Sequence, residues 1–104
     1  MKARLSEILN SINGFYLYDD QKVHEYISLL EEAVEIIRKI ETSPTSLLDN
    51  AKDDAVYELS NELASRMNDN FFHANLDRKK SEFKISKMLA VVAIGNVLSN
   101  MATE

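Results

Sequence analysis

Glu31, Glu32 and Glu35 form an EExxE pattern, and Glu58 with Asn61 forms ExxN further along the chain. At i, i+3 and i, i+4 these side chains share helix faces. If facing helices brought the four carboxylates together, the cluster would suit a hard cation. Mg²⁺ takes oxygen ligands in octahedral geometry and bridges substrate phosphates, and two such ions polarise a phosphate and activate water. Left apart, the same residues are the solvated flank of acidic helices. A second pair, Arg66 and His73, lies two helical turns apart and combines a fixed cation with a titratable imidazole. A third, Asp20 and His24 at i, i+4, reads as a surface hydrogen-bonded pair, because two ligands do not make a metal site. The chain has no cysteine, which excludes disulfides, thiol catalysis and cysteine-bound zinc. Gly14 and Gly95 are its two glycines, so a phosphate-cradling glycine loop is excluded, and nothing resembles a nucleophile elbow.

Two of these patterns resemble known families. Glu31-Glu32-Ala33-Val34-Glu35 followed by Glu58-Leu59-Ser60-Asn61 resembles the EExxE…ExxD signature of the MazG-type all-α nucleoside triphosphate pyrophosphohydrolases, over about Leu30–Leu63. The resemblance implies Mg²⁺ as cofactor, cleavage of a nucleotide to monophosphate and pyrophosphate, and Glu31, Glu32, Glu35 and Glu58 as metal ligands. Asn61 stands where that family has Asp, so one charge is missing. The spacing from Arg66 to His73 resembles the ribonuclease motif of HEPN domains, in which Arg and His act near a scissile phosphate. Met67 occupies the position after the Arg, where that family usually has a polar residue.

The elements that must position these residues are helices. Leu5, Ile8, Leu9 and Ile12 follow the i, i+3, i+4, i+7 rule and predict a helix from Lys2 to Asn13. Asn13-Gly14 supplies a left-handed stop for it, and Phe15 to Tyr18 form a short aromatic connection. A second helix starts at Asp19 or Asp20, with Tyr18 and Val23 placed for a hydrophobic staple. Its apolar face runs from Val23 through Tyr26, Ile27, Leu30, Ala33, Val34 and Ile37 to Ile40, and Pro44 ends it near Glu41. A third opens at Ser46, with Asp49 at capping-box spacing, and buries Leu48, Ala51, Ala55, Leu59, Leu63 and Met67. Either it runs on to Phe71 or Asn68-Asp69-Asn70 breaks it.

The fourth helix begins after Asn75 or Ser81 and runs to about Met101. Its central part, Met88–Val97, is apolar on every side, the pattern of a helix covered all round. Either the other helices wrap it completely, or part of it meets a second copy or another protein. Ala90, Ala93 and Gly95 suit a close helix approach, which would account for a mid-helix Gly costing about 1 kcal/mol. With no period-2 pattern anywhere, the fold expected is all-α: an antiparallel four-helix bundle with a central, fully buried C-terminal helix, as one domain over 1–104.

Composition narrows the function. The 104 residues suffice for one core without metal or disulfide support. A net charge of −5 argues against broad nucleic-acid or anionic-membrane binding. The charge is split: residues 1–70 carry 7 basic and 14 acidic side chains, residues 71–104 carry 5 and 3. No secretory signal or membrane-spanning run is visible, so the expected location is cytoplasmic. No catalytic residue and no cofactor is assigned outside the Mg²⁺ resemblance. The expectation is a small protein-binding regulator, inhibitor or immunity-type protein, dimeric or partner-bound through the fourth helix. Candidate contacts are Phe71, Phe72, Arg78, Lys79, Lys80, Lys84 and Lys87. Bacteriocin immunity proteins share this size and bundle architecture, an analogy of shape alone.

Overall fold

The structure is a computed structural model that describes residues 2–15, 20–68 and 76–103. Within these, residues 20–23, 66–68, 76–82 and 102–103 are described by their helical backbone only. Four helices follow in order: α1 Lys2–Asn13, α2 Asp20–Lys39, α3 Leu47–Asn68 and α4 Leu76–Thr103. Among the described residues there is no strand. The possible continuation of α3 beyond Asn68 lies outside the described residues, as does the staple of Tyr18 with Val23.

The helix ends show the local chemistry at work. The Ser46 hydroxyl accepts the Asp49 backbone N–H at 2.9 Å, so Ser46 caps α3 as its sequence position predicts. The reciprocal half of the capping box does not form. The Asp49 carboxylate accepts from the Thr42 hydroxyl at 2.9 Å, and the Ser46 N–H goes back to the Ser43 carbonyl. The end of α1 also differs from expectation. No described glycine has a positive φ. The Gly14 N–H is instead shared between the carbonyls of Asn10 and Ser11, and Phe15 N–H bonds to Ile12 O, tightening the last turn in 3₁₀ fashion. The left-handed stop is therefore corrected: the next turn is satisfied without it.

The helices form a ring in which each packs against the helix before and after it, and α4 closes on α1. Specific contacts run antiparallel for α1 with α2, α2 with α3 and α1 with α4. Arg4 near the start of α1 meets Glu32 in the second half of α2. Tyr26 near the start of α2 meets Glu62 near the end of α3, while Lys52 early in α3 reaches the Ile40 carbonyl. Lys87 reaches back to Asn13 and Phe15 at the end of α1. The result is the expected four-helix bundle, 44 × 21 × 18 Å. At 1.5 Å per residue α4 is about 42 Å long and spans the long axis, whereas α1 covers only about 18 Å of it.

Large side chains in the core come mostly from α1 and α2: Leu5, Ile8, Ile12, Tyr26, Leu30 and Ile37 are fully buried. Ala51 and Ala55 of α3 and Ala90 and Ala93 of α4 let those helices come close. On α4, Phe83, Ala90, Ala93, Ile94 and Val97 face inward. Ile85, Met88, Leu89 and Val92 are 57%, 58%, 50% and 53% exposed. The fully buried C-terminal helix is thus corrected. A ring of four helices leaves every member an outward side, and α4 is apolar on that side too. Gly95 is corrected with it: a Cβ there would meet nothing within 4 Å, so among the described residues no close approach calls for a glycine.

Candidate functional site

The acidic residues do not converge. Glu32 lies on the α1 side of α2, where the Arg4 guanidinium grips both carboxylate oxygens at 2.5 and 2.7 Å and also reaches Glu7 at 3.1 Å. Glu31 and Glu35 lie on the other side, along the groove between α2 and α3, interspersed with Arg38 and Lys39. Glu35 pairs with Lys39 at 3.5 Å. From α3 that groove receives Ser60 and Leu63. Glu58 sits about 160° and 140° round the helix from those two, so it points away from Glu31 and Glu35. Among the described residues no three acidic or histidine side chains are grouped to hold a metal ion. The four residues expected as Mg²⁺ ligands therefore do not fit that ion as a set, because Glu32 is held on the α1 side of α2 while Glu31 and Glu35 line the groove with α3 and Glu58 turns away from it.

The Arg4 fork holds the Glu32 carboxyl below the ordinary carboxylate range, mainly by hydrogen bonding and against a smaller opposing effect of desolvation. Arg4 is correspondingly raised. A carboxylate depressed in the fold contributes stability above its unfolded pKa and loses it as pH falls through the folded value. In a carboxyl NMR titration Glu32 should show a low midpoint, and Arg4→Met should return it upward. An unmoved midpoint would mean that the pair does not form in solution.

His24 is exposed and lines an open groove between α1 and α2 with Arg4, Phe15 and Glu25, while the side chain of Asp20 lies outside the description. The Arg66 side chain and all of His73 also lie outside the described residues, as do Phe71 and Phe72. Arg78, Lys79 and Lys80 are in the first turns of α4, described by backbone only. Lys84 is exposed. Lys87 has a different role from that expected: its ammonium donates to the carbonyls of Asn13 and Phe15 at 3.0 and 3.4 Å. It thereby satisfies free acceptors at the C-terminal end of α1, where a cation also complements the helix dipole.

Sequence reasoning missed one buried acid. Glu62 is 9% exposed and accepts the Tyr26 hydroxyl at 3.3 Å. Its position, three residues after Leu59 and seven after Ala55, was the available signal. The Tyr26 ring packs on Phe15 (centroids 5.9 Å apart) and edge-on to Phe83 (5.0 Å). Tyr26 thus links α2 to α3, to α4 and to the exit of α1, as a structural junction.

What remains as a site is the outward face of α4. Ile85, Met88, Leu89 and Val92 stand at i, i+3, i+4 and i+7, within about one third of the helix circumference. The helix sends Phe83, Ile94 and Val97 to the core together with Ala90 and Ala93, yet it keeps four further large apolar side chains half-exposed, more than a helix serving only its own core presents. Among the described residues no helix is long and apolar enough to cross a membrane. No family model matches the chain, and no curated protein or solved structure matches it.

Proposed function

We propose that this four-helix bundle is a non-enzymatic, cytoplasmic binding protein that acts as a regulator, inhibitor or immunity-type protein by docking the outward face of α4 on a protein target. The single observation that carries the reading is the half-exposed row Ile85, Met88, Leu89 and Val92 on a well-packed helix. Together these side chains offer on the order of a few hundred Å² of contiguous apolar surface, the size at which such patches are commonly functional. Exposed Lys84 flanks the row beside Met88, so the apolar centre has a charged neighbour at its edge. Such a face acts by occlusion: it covers an apolar patch on its target and keeps other molecules from it.

A photo-reactive residue at position 89, carried by the full chain in its native cells, tests this. The expected result is an adduct of discrete mass other than twice 11.8 kDa, absent when the same residue replaces Tyr57, which is 67% exposed on α3. No such adduct at 89, or the same adducts from both positions, would overturn the reading.

A further inference from the structure

We infer that the α4 face, when it is not docked on its target, is covered by a second copy of this chain, packed antiparallel about a two-fold axis that passes beside Val92, so that self-pairing and target docking compete for one face. The inference rests on the docking face proposed above and adds the competing occupant and its geometry. The outward face of α4 is lopsided. Its first half carries Ile85, Met88 and Leu89, all half-exposed, and its second half carries Gly95, Asn96 and Ser99. Two such faces set parallel would oppose bulky to bulky at one end and small to small at the other, forcing the helices to diverge. Set antiparallel about Val92, the two halves match in shape.

On a helical wheel Met88 and Gly95 lie on the same flank of the face, and Leu89 and Asn96 on the opposite flank. A two-fold axis across the helix keeps each flank against itself. Met88 of one copy then lies over Gly95 of the other, Leu89 against Asn96, Ile85 over Ser99, and Val92 against Val92. This gives Gly95 the reason the single chain lacks. Its Cβ position opens onto empty space, so Ala would fit there and would be the better helix former. A glycine at that point is the notch into which a neighbouring Met88 settles.

The area agrees. Each apolar row is a few hundred Å² and the symmetry counts it twice, a contact that with its flanking residues Lys84, Asn96 and Ser99 falls in the small class of interfaces, where pairing is weak. The antiparallel axes also set the two helix dipoles head to tail. The dimer expected is weak and concentration-dependent.

Sedimentation of the full chain over a wide concentration range should show passage from 11.8 kDa to twice that mass. Gly95→Ala should raise the melting temperature of the dilute monomer while weakening the dimer by at least about tenfold. A purely structural glycine would show the first change without the second. Because the chain has no cysteine, single substitutions read the register. Mixed Ile85→Cys and Ser99→Cys chains should form a crossed disulfide on mild oxidation. Ile85→Cys chains alone should not, since their Cα atoms would stand about 21 Å apart along the axis, against the about 4.4–6.8 Å that a disulfide requires. Self-crosslinking of Ile85→Cys overturns the antiparallel arrangement. A chain that stays monomeric at every concentration overturns self-pairing altogether, and an adduct from position 89 to a different protein would then leave the docking face standing without it.

Discussion

Ile94→Ala should lower the unfolding free energy by about 2–5 kcal/mol, whereas Ile85→Ala in the same helix should lower it by roughly 1 kcal/mol or less. The two residues have the same chemistry and differ in what surrounds them. Ile94 is fully buried among the inward side chains of α4, and deleting its side chain beyond Cβ leaves a cavity that close-packed neighbours fill only in part. Ile85 is 57% exposed, so most of what Ala removes was already in water. Urea denaturation of the two variants at high dilution measures the contrast. Dilution matters because a dimer joined through Ile85 would add concentration-dependent stability. Equal losses, or a larger loss at Ile85, would mean that α4 is turned about its axis from the orientation described.

Tyr26→Ala should be the most damaging single change, about 3–5 kcal/mol, comparable with the whole stability of a marginal domain at about 5–15 kcal/mol. Among the described residues Tyr26 is the largest fully buried side chain, and its ring touches Phe15 and Phe83 while its hydroxyl reaches Glu62. Tyr26→Phe keeps both ring contacts and removes only the hydroxyl, so a cost of about 1–2 kcal/mol is expected. Thermal unfolding followed by circular dichroism distinguishes the two. If Phe were as harmful as Ala, the hydrogen bond to Glu62 would outweigh the packing, contrary to the geometry.

The face of α4 and the fate of the acidic pattern show where sequence reading reached its limit. An EExxE pattern states spacing along one helix and says nothing of which neighbour lies on each side. Glu32 turned toward Arg4, 28 residues away, and Glu31 and Glu35 turned toward the α3 groove. That division follows from the ring order of the helices, which no local pattern encodes. Glu62 was legible in principle, because it falls on the apolar stripe of α3. Reading the stripe by hydrophobic residues alone passed over it.

The amino-acid sequence by itself determined the helices, their approximate limits and most of the buried stripe. Helix periodicity, the Ser46 cap and the block at Pro44 act over a few residues and need no partner. Only the tertiary structure decided which side of α4 is covered. A helix apolar on all sides has no polar face to orient it, so its rotation is set by the packing of Phe83, Ala90, Ala93, Ile94 and Val97 against the other helices. That packing turns Ile85, Met88, Leu89 and Val92 outward.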